Sequence, residues 1–96
     1  MAFWNSSQRE KIDPEVARRE RLMTFGRVTE GTILENDSTE VIEVTTVYYT
    51  YCVSGADYET SYLLIEEQRE NLPKYAPGAK VSVRYDPRQP ANSIVV

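Results

Sequence analysis

The side chains in this 96-residue sequence that could do chemistry are carboxylates, tyrosines and one thiol. Histidine is absent and Cys52 is the sole cysteine. That excludes histidine-based triads, His/Cys zinc sites, haem ligation by histidine and any intrachain disulfide. Cys52 has no cationic neighbour in the sequence to hold a thiolate, so it is expected to sit mid-strand as a small packed hydrophobe. Glu66, Glu67 and Glu70 fall within one or two helical turns, where two of them could share a hard cation. Without a third fixed oxygen ligand they read as a solvated face, with Arg69 as local counter-charge. No pair of carboxylates is singled out for acid/base work, and there is no nucleophile elbow, phosphate loop or dinucleotide fingerprint. The expectation is a protein that is not an enzyme, with no catalytic residues, no cofactor and no metal.

What remains is recognition. Seven tyrosines are the one compositional excess. Tyrosine suits interfaces, and it equally suits a small barrel whose interior is partly wet. Tyr51, Tyr58 and Tyr85 read as barrel residues, whereas Tyr48 falls on the face opposite Tyr49 and Tyr51 and is the first candidate for an exposed contact. Phe3 and Trp4 are apolar residues in a polar N-terminal stretch and are further contact candidates. Arg84 and Arg88 are candidates on the basic side, because residues 73–96 carry a net charge of +3. Arg84, Pro87 and Pro90 also fit the R-x-x-P-x-x-P form of a polyproline ligand, although prolines between two strands more simply stop further pairing.

Charge is unevenly distributed. Residues 1–27 carry a net +2 and residues 28–72 a net -9, for a total of -4. A binder of phosphate backbones needs a basic stripe, so this balance argues against nucleic acid and in favour of a basic protein surface as partner.

The elements that must position these residues are legible in outline. Asp13-Pro14 is a helix start, the carboxylate capping first-turn N–H groups and the proline standing where its missing N–H costs nothing. A helix is predicted from Pro14 to about Thr24, with a thin apolar stripe of Val16, Ala17, Leu22 and Met23. A helix so short must lean on the rest of the domain or on a second molecule. Five strands follow: Arg27 to Glu35, Glu40 to Val53 after a turn at Asn36-Asp37-Ser38, Tyr58 to Ile65, Lys80 to Tyr85, and Ser93 to Val96. Ser54-Gly55-Ala56-Asp57 makes a tight hairpin, and Glu66 to Leu72 fits one or two helical turns stopped by Pro73. In the second strand apolar residues change from even positions (Ile42, Val44) to odd ones (Val47, Tyr49, Tyr51, Val53), which predicts a β-bulge near Thr45-Thr46. In the fourth, Val81, Val83 and Tyr85 should face inward and Ser82 and Arg84 outward.

The string Tyr49-Thr50-Tyr51-Cys52-Val53-Ser54-Gly55-Ala56-Asp57-Tyr58, followed by Tyr75-Ala76-Pro77-Gly78-Ala79-Lys80-Val81-Ser82-Val83-Arg84-Tyr85-Asp86-Pro87-Arg88-Gln89-Pro90, resembles the bacterial domain-of-unknown-function family 3592. That family carries a Y-x-Y-x-V-x-G-x-x-Y hairpin and a later Y-x-P-G-x-x-V-x-V-x-Y-D-P-x-x-P stretch. Gly31-Thr32-Ile33 matches its G-T-[IV] opening, so the resemblance runs from about Gly31 to Val96. Many relatives place this domain beside transmembrane helices, whereas this sequence has a charged helix. The resemblance implies a fold and carries no catalytic residue.

The expected architecture is mainly β: a small five-stranded antiparallel barrel or curled sheet, OB-like or SH3-like, with an N-terminal α-helix. Residues 1–25 form tail and helix and residues 26–96 the barrel-like domain. With no apolar run near the roughly 20 residues that cross a bilayer, and no signal-like leader, a cytoplasmic location is expected. The function expected is a non-catalytic protein-interaction module whose acidic surface suits a basic partner, or which self-associates through its thinly covered helix. The alternatives are an OB-type single-stranded nucleic-acid binder, in which Lys74, Lys80, Arg84 and Arg88 converge beside exposed tyrosines, and a small enzyme with a deep pocket using carboxylates or tyrosine.

Overall fold

The computed structural model describes residues 13–39 and 44–96. Helix α1 runs Pro14–Phe25, and the strands are β1 (Arg27–Thr39), β2 (Val44–Val53), β3 (Ala56–Leu63), β4 (Lys80–Asp86) and β5 (Gln89–Val95). A one-turn helix α2 (Glu66–Arg69) and a 3-10 turn (Leu72–Tyr75) lie between β3 and β4. Asp13 caps α1 as its sequence demands, with Oδ1 accepting from the Glu15 N–H at 2.9 Å.

The five strands form one antiparallel sheet in the order β3-β2-β1-β4-β5. This sheet curls until its two edges, β3 and β5, approach each other and leave a nearly closed barrel. Three strands, a short helix and two more strands is the element order of an OB-type barrel. Ser54 (φ 52°) and Gly55 (φ 85°) both take positive φ, which gives the β2–β3 hairpin a two-residue turn whose twist matches its strands.

Several boundaries differ from the sequence reading. The turn expected at Asn36-Asp37-Ser38 is strand: β1 continues to Thr39, pairing Ser38 with Thr45 and Thr39 with Val44. The beginning of the expected second strand, Glu40 to Glu43, lies outside the described residues. β3 begins two residues earlier and ends two earlier than expected, and β5 starts at Gln89 and contains Pro90, as an edge strand tolerates. The bulge expected in β2 near Thr45-Thr46 is not there, and an irregularity lies on β1 instead. Ile33 pairs with Tyr49 and Glu35 with Tyr48, so Leu34 is the extra residue, while β2 keeps Thr45, Val47, Tyr49 and Tyr51 on the inner face without interruption. β1 pairs with β4 only from Arg27 to Thr32, and the bulge falls just beyond, where β1 leaves β4 and continues with β2 alone.

The interior is lined by Ile33, Val47, Leu64, Val81, Val83, Ile94 and Val95, together with Tyr49, Tyr51, Tyr62 and Tyr75. Val81 and Val83 face inward, Tyr85 packs against the core and Ser82 is exposed, as the alternation requires. Tyr49, Tyr51 and Tyr58 stack at centroid separations of 5.7 and 5.6 Å, so a ladder of aromatic rings fills the β2–β3 side. Their hydroxyls reach β5: Tyr49 shares a 2.6 Å hydrogen bond with Ser93 Oγ, and Tyr51 donates to the Pro90 carbonyl at 2.5 Å. Gly31 is inner-facing where β1 passes Val83, and a Cβ there would lie 2.6 Å from Val83 Cγ2.

Helix α1 packs on its own barrel, and charged side chains do most of the fastening. Leu22 is its one buried residue; Val16 and Met23, expected in the buried stripe, are 49% and 42% exposed. Arg18 donates from Nη1 to the Ser93 carbonyl (2.9 Å) and to Asn92 Oδ1 (2.8 Å). Arg19 donates to the Tyr62 hydroxyl (2.6 Å) and to the Val95 carbonyl (3.2 Å), which also accepts from Gln68 Nε2 at 2.8 Å. Side chains of α1 and α2 therefore satisfy β5 carbonyls along the seam where a β3–β5 ladder is missing.

Candidate interaction surface

Cross-strand pairing fixes which side chains share the outer face of the barrel, because directly opposed residues point the same way. Tyr48 stands opposite Glu35 on β1 and Ser61 on β3. Along the same face Thr50 is paired with Glu59, Cys52 with Asp57, and Thr46 with Asp37 and Leu63. Glu35, Asp37, Asp57 and Glu59 are all exposed. Tyr48 is 39% exposed at the centre of this carboxylate-edged sheet. The basic side chain nearest in register is Lys80, whose Nζ donates to Thr32 Oγ1 at 2.9 Å. Leu34, pushed outward by the bulge, and Leu63 add exposed apolar area beside the tyrosine. Tyr48 is thus an exposed aromatic ring with Glu35 opposite and Asp37, Glu59 and Asp57 further along the same face.

The other candidates are placed as follows. Cys52 is exposed on this outer face, not packed as expected, because β2 buries its odd-numbered residues. Lys74 and Lys80 line one shallow depression with Tyr75 and Val81, while Arg88 lies in another beside Arg21 and Phe25. Arg84 is half-buried, its guanidinium donating to the Gly26 carbonyl at 3.2 Å. These four cations are not brought together beside exposed tyrosines. Phe3 and Trp4 lie outside the described residues. Glu66, Glu67 and Glu70 are exposed, but Arg69 turns away from them to the Leu64 carbonyl (3.1 Å). Among the described residues no group of three or more Asp, Glu or Cys could hold a metal ion.

Hydrogen bonding and burial displace the acidity of several groups. A hydrogen bond from Arg18 holds the Glu15 carboxyl below its ordinary value, in an exposed pair. Burial pushes the Tyr49, Tyr51 and Tyr62 phenols up, Tyr62 against the opposing pull of Arg19. A phenol raised in this way stays protonated at neutral pH.

A second surface feature is an apolar groove of about 710 Å³ between α1 and the end of β3, floored by Val16, Met23, Tyr62, Leu63 and Ile65. It is also lined by Asp13, Glu15, Glu20 and Glu66, and by Arg19. The sequence reading missed both this groove and the seam-closing roles of Arg18, Arg19 and Gln68. A charged helix face gives no sign of what its arginines will meet. Among the described residues no helix is long and apolar enough to cross a membrane.

Residues 24–96 match the model of a family described as "Domain of unknown function (DUF3592)". No curated protein and no solved structure matches the chain.

Proposed function

We propose that this chain, which belongs to the DUF3592 family, is a non-catalytic protein-interaction module that presents the outer face of β1–β2–β3 to a basic protein surface. The observation that carries this reading is Tyr48, exposed at the centre of a face bearing Glu35, Asp37, Asp57 and Glu59. An aromatic ring gives contact area at little entropic cost, and the surrounding carboxylates steer a cationic partner while repelling phosphate backbones. The dispersal of Lys74, Lys80, Arg84 and Arg88 supports this reading over an OB-type nucleic-acid binder, which needs its cations beside its stacking platforms. The compartment that fits is the cytoplasm, where a lone exposed thiol such as Cys52 stays reduced.

The test is photo-crosslinking in the native cell, with a photoreactive phenylalanine analogue at Tyr48 and, as control, at the exposed Ser82. The expected result is a discrete protein adduct from position 48, absent from position 82 and lost when Glu35 and Glu59 are replaced by Lys. Cross-linking to nucleic acid, or an adduct indifferent to those charges, would overturn the reading.

A further inference from the structure

The chain carries both halves of an interface. We propose that the Tyr48 face of one copy receives the C-terminal end of α1 of a second copy, with Phe25 beside Tyr48 and Leu34 and with Arg21 and Arg88 meeting the carboxylates of the face. The inference rests on the reading of the Tyr48 face as a site for a basic protein surface, and it names that surface as the chain's own.

Three observations converge. Phe25, the last residue of α1, is 76% exposed, more than any other large apolar residue among those described. Beside it lies a depression of about 310 Å³ lined by Arg21, Leu22, Asp86, Pro87 and Arg88. Its one acid, Asp86, accepts from the Arg88 backbone N–H at 2.8 Å. Arg21 and Arg88 are exposed, as is Arg27 just beyond the helix, and none of the three has an ion pair among the described residues. Glu15 and Glu20 line the separate groove against β3. The Tyr48 face complements this patch in kind: an exposed ring, the exposed Leu34 and Leu63, and Glu35, Asp37, Asp57 and Glu59, again without ion pairs among the described residues. The two surfaces cannot meet within one molecule. Phe25 precedes β1, whereas Glu35 lies seven residues beyond Val28, about 20 Å along that strand. Complementary patches at separate places on one chain make a heterologous, head-to-tail contact between copies. One ring and a few surface ion pairs form a small interface, so the association is weak and sensitive to salt.

Sedimentation equilibrium of the purified full chain should give a weight-average mass that rises with concentration from the micromolar into the millimolar range and falls back as salt is added. Two variants each disable one side: Glu35→Lys/Glu59→Lys the acidic face, Phe25→Ala/Arg88→Ala the basic patch. Each alone should stay monomeric, with circular dichroism and Tm unchanged because all four positions are exposed. Mixed, they should pair one to one and grow no further, since each keeps the surface that the other lacks. A parent chain that is monomeric throughout that range, or variants that stay apart when mixed, would overturn the proposal. Cross-linking from position 48 separates this inference from the reading it rests on. An adduct between two copies, joined near Phe25, supports both. An adduct formed only with a different basic protein keeps the Tyr48 reading and overturns the head-to-tail contact.

Discussion

Replacing Arg19 with Met keeps the aliphatic stem and removes the guanidinium that ties α1 to the barrel seam. Two hydrogen bonds are lost, to the Tyr62 hydroxyl at 2.6 Å and the Val95 carbonyl at 3.2 Å, together with a cation placed 5.8 Å from the Tyr62 ring centroid. A hydrogen bond to a charged group contributes about 1.5–3 kcal/mol when buried. Arg19 is half-exposed, and Val95 keeps its bond from Gln68, so water and a surviving donor offset part of the loss. A net cost of about 1–2 kcal/mol follows. For a chain of this size each kcal/mol lowers Tm by about 4–8 °C. Tyr62→Phe removes the acceptor alone, and the double variant should show a coupling of about 1 kcal/mol, because both substitutions delete the same bond. Arg21→Met, on the same helix and exposed, is the control and should leave Tm unchanged. Additive effects of the Arg19 and Tyr62 substitutions, or an Arg19 variant as stable as its parent, would refute the idea that side chains from α1 close the seam.

Other outcomes follow from the same packing. Val83→Ala, at a fully buried position, should cost about 1–3 kcal/mol by loss of methyls and a residual cavity, read as a lowered urea midpoint with unchanged slope. Gly31→Ala should cost about 1–3 kcal/mol in the same assay, because its Cβ would meet Val83 Cγ2 at 2.6 Å and the Thr50 carbonyl at 3.1 Å, and Val83→Ala should partly rescue it. Alkaline pH should destabilise the fold. The Tyr49, Tyr51 and Tyr62 phenols are raised above the ordinary 10.0 by burial, so their contribution is complete below that pH and is lost as pH rises, when the unfolded chain ionises first. Urea midpoints should be flat from neutrality to pH 9 and fall above pH 10, less steeply in Tyr49→Phe.

Much of the fold was legible because local chemistry and long-range packing agree. Asp13-Pro14 could only begin a helix usefully, Ser54-Gly55 could only turn a hairpin tightly, and the alternation of Val81, Val83 and Tyr85 left one face to bury. The position of Tyr48 opposite the inward tyrosines was legible for the same reason. The phase change within the expected second strand implies a bulge near Thr45-Thr46, but β2 alternates regularly from Thr45 onward; the extra residue, Leu34, is on β1 at the point where β1 leaves β4, and nothing within β2 reports that. The turn at Asn36-Asp37-Ser38 failed because residues that favour turns also fit a long hairpin, where Asn36 is half-buried and donates to the Tyr75 carbonyl at 3.2 Å while Asp37 faces solvent. Arg18 and Arg19 fall between the apolar positions of the helix, and their partners, the β5 carbonyls of Ser93 and Val95, lie more than seventy residues away. Cys52 was assigned to the interior by its residue type, whereas strand parity placed it outside.

The measurement that bears most directly on the proposed role is a fluorescence anisotropy titration of the full chain against two labelled probes, a peptide rich in Lys and Arg with an aromatic residue, and a single-stranded DNA. The account predicts peptide binding that weakens as salt rises and is lost in Tyr48→Ala and in Glu35→Lys/Glu59→Lys, with no appreciable DNA binding at physiological salt. DNA binding of micromolar affinity that falls steeply with salt and disappears when Arg84 and Arg88 are replaced by Ala would contradict it, and would make the barrel a single-stranded nucleic-acid binder instead.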